Sequence, residues 1–224
     1  MKSARSIVLS VFLLLESVLY YFILTASGSL LVYTSFFAIV LCFLYALLPP
    51  GKPNLWMLAG LACTVAADYC LVICQPIQRL WGMVFFLGAQ SLYAAKLHLF
   101  KPSKALLGVR LGLTAVAVAL VFIVLKNKAD PLAVVSLCYY ANLIMNIVVA
   151  FTQRKNHKLL PIALVLFLLC DTVIGLQVAA GGYLPIEEGS ALHKIIFMRF
   201  NLSWFFYLPS QVLISLSSKQ KAAH

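Results

Sequence analysis

Three acidic side chains, Glu16, Asp68 and Asp171, fall near the middle of long apolar stretches. A charge there costs several kcal/mol, so an ionisable group buried in a span is read by default as functional. The two aspartates carry the most information. Two carboxylic acids held at one depth form an acid/base pair wherever their surroundings separate their proton affinities. Such a pair can deliver a proton to one atom while taking one from another, as in cleavage of an acid-labile bond or coupled proton movement. Glu16 stays open between a neutral packed group and a functional one. Other polar residues gather near the same depth: Gln90 and Tyr93, Asn142 and Asn146, Tyr207 and Gln211. Together they are expected to line a polar cavity, with interhelical hydrogen bonding the preferred role for the two asparagines. Arg110 and Arg199 lie nearer the ends of their stretches. A guanidinium grips phosphate with two parallel hydrogen bonds, although for Arg110 reaching out to the lipid headgroups is the preferred reading.

Soluble catalytic signatures are missing. The chain has no Gly-x-Ser-x-Gly elbow, no His-Glu-x-x-His and no phosphate-binding P-loop. His98, His157, His193 and His224 fall at stretch ends or in loops, and no metal site is expected from them. Cys42, Cys63, Cys70, Cys74, Cys138 and Cys170 all sit in apolar runs, where a thiol behaves as a small hydrophobe. No cofactor is expected.

The elements that must position these groups are membrane helices. The 224 residues are 63% hydrophobic and only 10% charged, with a mean hydropathy of +1.01, against the roughly 25% charged share of a soluble domain. Apolar windows fall at 6–26, 29–48, 54–75, 80–100, 106–125, 132–152, 159–180 and 195–216. This predicts an all-α polytopic bundle of about eight spans forming a single integral membrane domain over 1–224. Lys2 and Arg5 before the first window mimic a signal peptide, but the apolar stretch is longer than a typical signal core and reads as a span. The net charge of +11 sits in short clusters between windows, which points to the membrane surface and not to nucleic acid.

Those clusters also set orientation. With the N-terminus on one side, Lys2, Arg5, Lys52, Lys96, Lys101, Lys104, Arg154, Lys155, Lys158, Lys219 and Lys221 share that side, and only Arg79, Lys126, Lys128 and Lys194 oppose them. The positive-inside rule then predicts both ends in the cytoplasm of a multi-pass protein, in the cell membrane of a bacterium or an endomembrane of a eukaryote. At about 1.5 Å per residue, Glu16, Asp68 and Asp171 lie roughly 15, 21 and 18 Å from the cytoplasmic ends of their spans, so the aspartates share a level. A duplication is also suggested. Spans three and seven each carry an aspartate, and each following span carries a glutamine behind aromatics: Phe85-Phe86 before Gln90, and Phe205-Phe206-Tyr207 before Gln211. Four helices separate the copies, as in a parallel repeat.

At these residues the chain resembles the YhhN-like lysoplasmalogenase family of eight-span membrane proteins. The likeness rests on Ala66-Ala67-Asp68-Tyr69-Cys70-Leu71, on Gly82 through Phe85-Phe86 to Gln90 and Tyr93, on Leu166 to Ile174 around Asp171, and on the closing run from Tyr207 to Ser217. One position departs. The family usually has a histidine eight residues after the glycine corresponding to Gly82, where this chain has Gln90. Glutamine hydrogen-bonds but carries no proton near neutral pH, which leaves open a slower, altered or inactive member. The resemblance implies hydrolysis of the vinyl-ether bond of lysoplasmalogen to a fatty aldehyde and a glycerophospho-alcohol. Asp68 and Asp171 would be the catalytic acids, with Gln90, Tyr93, Tyr207 and Gln211 positioning water and substrate and Arg199 holding the phosphate of a lysophospholipid in the bilayer. Taken alone, the residues leave two other readings: a proton-coupled transporter and a non-catalytic lipid-binding protein.

Overall fold

The computed structural model describes residues 2–48, 54–100, 102–126, 129–155, 157–180, 187, 189–198 and 201–219. Among these residues every regular element is helical: α1 (Lys2–Thr25), α2 (Gly28–Leu47), α3 (Leu55–Asp68), α4 (Arg79–Phe100), α5 (Lys104–Leu125), α6 (Pro131–Thr152), α7 (Leu160–Ala180), the short α8 (Ala191–Ile196) and α9 (Leu202–Ser218). Local chemistry sets their starts. Asn54, Ser103, Asp130 and Asn201 each accept a hydrogen bond from a backbone amide in the first turn of the helix that follows, which satisfies donors the helix itself leaves unpaired. Gly28, at φ +64°, takes the left-handed conformation that turns α1 into α2.

Among the described residues six segments are long and apolar enough to cross a membrane: Ser6–Thr25, Gly28–Leu47, Leu55–Ile73, Lys104–Val124, Pro131–Thr152 and Leu160–Val178. Large apolar side chains such as Leu14, Val18, Leu30, Tyr33, Val109, Leu111 and Ile123 stand exposed along them, as befits helices whose solvent is lipid. The chain is thus an all-helical protein of membrane character. α4 and α9 are less apolar, and packing explains why. α4 lies between α3 and α6, while α9 is packed by α1, α2, α3 and α7, so both bury polar residues against protein.

Helix neighbours trace a closed ring in the order α2, α3, α4, α6, α7, α9 and back to α2, with α1 attached outside against α2 and α9, and α5 outside against α6. Moving each of the first four helices onto its counterpart four spans later reproduces this order. The contact between α3 and α4 matches that between α7 and α9, the contact of α4 with α6 matches that of α9 with α2, and outlying α1 matches outlying α5. This is the neighbour pattern of a parallel duplication about an axis along the bundle.

Two interruptions differ from continuous spans. α3 stops at Asp68 and passes directly into a π-helical turn, Tyr69–Ile73. The window read as one span over 195–216 is instead α8, a break, and α9, because Asn201 caps a new helix by accepting from the Trp204 amide at 3.4 Å. Within α9, Pro209 has no N–H to give the carbonyl of Phe205 four residues back. The hydroxyl of Tyr20 on α1 donates to that carbonyl at 3.0 Å.

Candidate active site

Asp68 sits at the last position of α3, 3% exposed, where the change to π-helical geometry begins. Such turns redirect side chains and are frequent at functional sites. The Tyr207 hydroxyl donates to Asp68 Oδ2 at 2.6 Å, joining α9 to α3. Asp171, half-buried on α7, receives the hydroxyl of Tyr139 on α6 through its own Oδ2. The two carboxylates lie close enough to interact electrostatically. One aromatic cluster joins the tyrosines: Phe167 stands 5.4 Å from Tyr207 and 6.3 Å from Tyr139, and Phe86 stands 5.8 Å from Tyr139 and 6.3 Å from Tyr207. Four rings from four helices thus surround two acids, each gripped by a phenol. A hydrogen bond to a charged group contributes about 1.5 to 3 kcal/mol, and here it also sets which way each carboxyl points.

Matching the two halves by their neighbour order brings out an asymmetry in this pairing. Gln90 corresponds to Gln211, which makes Phe86 the counterpart of Tyr207. Phe86 has no hydroxyl to offer Asp171. Tyr139 of α6 supplies it instead.

A second polar network starts from Gln90. Asn146 donates through Nδ2 to both the backbone oxygen and Oε1 of Gln90, each at 2.8 Å. Asn146 Oδ1 and Asn142 Oδ1 in turn accept from the two terminal nitrogens of Arg110, at 2.8 and 2.7 Å. The asparagines are interhelical ties, as expected. Arg110 is a correction: its guanidinium turns into the bundle and does not reach for the headgroups. Two amide oxygens on successive turns of α6 offer that guanidinium a fork-matched pair of acceptors, which outcompetes extension along the lipid face.

The remaining predicted residues separate from the acid pair to differing degrees. Gln211 lies one turn beyond Tyr207, wholly buried, with neither side-chain amide atom hydrogen-bonded within the chain. Glu16, 4% exposed, accepts from the Cys42 thiol at 3.3 Å. Cys42 also lies in the field of Asp68, which links this third acid to the pair through one thiol. Tyr93 belongs to the α3–α4 seam, where its ring lies against Gly60 so closely that a methyl group at position 60 would come within 2.2 Å of Cε1. Arg199 lies outside the described residues.

Tyr139 and Cys42 were missed as site residues. Tyr139 had one legible signal, its place one helical turn before Asn142 on the same face of α6. Cys42 had none, being one thiol among several in apolar runs.

The model of the YhhN family matches residues 30–218. The chain belongs to the YhhN family. The match takes in Asp68, Asp171, both tyrosines and all of the helix ring but the first two residues of α2. Comparison with curated proteins and with solved structures finds no match. Within this YhhN chain, Gln90 serves as acceptor for Asn146, with its own Nε2 unpaired. These two hydrogen bonds tie α4 to α6.

Proposed function

We propose that this chain is an intramembrane hydrolase that cleaves the vinyl-ether bond of a lysoplasmalogen or a closely related lysophospholipid ether. Eight spans with both ends on the cytoplasmic side complete the reading, with α4 and α9 as the inner, more polar spans. The observation that carries it is the acid pair: Asp68 and Asp171 in electrostatic reach of each other, each receiving a tyrosine hydroxyl, among four aromatic rings. Family membership agrees with it.

The chemistry needs one carboxylic acid and one carboxylate. The acid protonates the vinyl carbon distal to oxygen, leaving an oxocarbenium ion. The ring faces of Tyr139, Phe167 and Tyr207 favour such a cation, and the carboxylate beside it adds charge stabilisation. Water then adds to the cationic carbon as the carboxylate takes its proton, giving a hemiacetal. In the collapse, the newly formed acid protonates the departing glycerol oxygen while the first residue, now a carboxylate, takes the hydroxyl proton. Fatty aldehyde and glycerophospho-alcohol leave, and each aspartate recovers its starting state. This is the division of labour of two-carboxylate glycosidases. Gln211, with both amide atoms free of partners in the chain, is suited to orient the water.

The test is aldehyde release from lysoplasmalogen by the purified protein in detergent. Asp68→Asn and Asp171→Asn should each lower turnover by about 10² or more, with the folded state checked by thermal unfolding. Wild-type turnover that survives both substitutions would end the proposal. Proton-coupled uptake by reconstituted vesicles, with no aldehyde formed, would favour a carrier instead.

A further inference from the structure

Between α4, α5 and α6 lies a cleft of about 280 Å³ that includes Ser91, Ala95 and His98 of α4, Leu107 and Arg110 of α5, and Asn142 of α6. Among the described residues that line it, Arg110 is the only Lys or Arg side chain. Its charge is positioned but not neutralised. Asn142 and Asn146 are neutral acceptors that occupy one proton on each terminal nitrogen, and among the described residues no carboxylate is hydrogen-bonded to it. A guanidinium held in a set orientation, with donors to spare and no counter-charge, is what a phosphate site requires.

The residues that hold Arg110 stand at a set offset along α6 from the tyrosine that holds Asp171. Tyr139, which grips Asp171, lies three residues before Asn142 and seven before Asn146 on α6, or roughly 4.5 and 10 Å along the helix. In a glycerol lysophospholipid, five single bonds separate phosphorus from the sn-1 oxygen, roughly 6 Å at bond lengths near 1.5 Å. Phosphate at Arg110 therefore brings the sn-1 linkage to the level of Tyr139 and Asp171.

We infer that the α4–α5–α6 cleft is the phosphate subsite of the substrate, in which Arg110, oriented by Asn142 and Asn146, binds the phosphodiester of a lysophospholipid. The assignment rests on the hydrolase reading for its purpose, yet it is tested by binding alone. The probe is a saturated 1-O-alkyl lysophosphocholine, which has no double bond to protonate and so binds without turnover. Its controls are 1-O-alkylglycerol, which lacks the phosphate, and inorganic phosphate. With the full chain in detergent, Arg110→Gln should weaken the lysophospholipid about tenfold or more and leave alkylglycerol unchanged, with Arg110→Lys between. Ala95→Leu, which fills the cleft and keeps Arg110 and its asparagines, should reproduce the loss, and so guards against a Gln variant that merely folds poorly. Lysophospholipid affinity unchanged in both Arg110→Gln and Ala95→Leu would overturn the subsite. Inorganic phosphate competing as well as the lipid would make this a free-ion site and overturn the lipid assignment. Arg110-dependent binding with no aldehyde from lysoplasmalogen would leave the subsite standing and remove the hydrolase.

Discussion

The hydroxyl that each aspartate receives is the smallest unit whose removal should be felt in catalysis. Tyr207→Phe and Tyr139→Phe keep the rings and the aromatic cluster while deleting one hydrogen bond to a carboxyl. At about 1.5 to 3 kcal/mol for such a bond, each should slow aldehyde release by roughly 10- to 150-fold, and an unchanged rate in both would separate the tyrosines from the chemistry. A steric prediction sits beside this one. Gly60→Ala places a methyl group within 2.2 Å of Tyr93 Cε1 and should cost about 1 to 3 kcal/mol as overpacking; thermal unfolding should show the loss, and Tyr93→Leu should restore it. At this scale the sequence was informative where a residue contradicts its surroundings. Asp68 and Asp171 stand out because an acid in an apolar run needs a reason. Tyr139 did not, since a phenol is at home in such runs. The inward turn of Arg110 was illegible because snorkelling and interhelical bonding demand the same residue, and only the asparagines of a different helix decide between them.

Helices were legible as apolar windows, and their ends were less so. Lipid-facing helices advertise themselves, whereas α4 and α9 bury polar residues such as Gln90 and Gln211 against other helices, and these lower a hydropathy window. The division of α8 from α9 was hidden because Phe197 and Met198 continue the apolar pattern across a break that a single cap at Asn201 creates. Pro209 was visible, but its compensation was not, since Tyr20 is a helix from the other end of the chain. That compensation can be measured. Tyr20→Phe should cost about 0.5 to 1.5 kcal/mol by removing this hydrogen bond, and less in a Pro209→Ala background, where the backbone N–H returns; equal costs in both backgrounds would dismiss the coupling. The turn between α6 and α7 carries a pH dependence of its own. Burial first, and the Lys96 charge second, push the His157 imidazole down to about 4. Its unfolded counterpart binds a proton near pH 6.5, so the unfolded chain holds more protons between these values. Stability from this site should be complete above about pH 6.5, decline as pH falls toward 4, and level off below. His157→Gln should flatten the unfolding temperature across that window.

At the scale of the molecule, the aspartate and glutamine pairs were a faint sign of duplication, while the ring that relates them required knowing which helices touch. Apolar helices leave too little in their sequences to specify neighbours, because lipid and protein offer similar partners to a leucine. The ring also separates supported walls from unsupported ones. α5 packs substantially on α6 alone, and its Leu107 and Arg110 line the cleft that it shares with α4 and α6. A wall held on one side is the natural point of lateral entry for a molecule already dissolved in the bilayer. Catalysis should then follow two-dimensional kinetics: at fixed total substrate, adding inert detergent or lipid should lower the rate by surface dilution, while changing the aqueous volume at constant micelle composition should leave it unaltered.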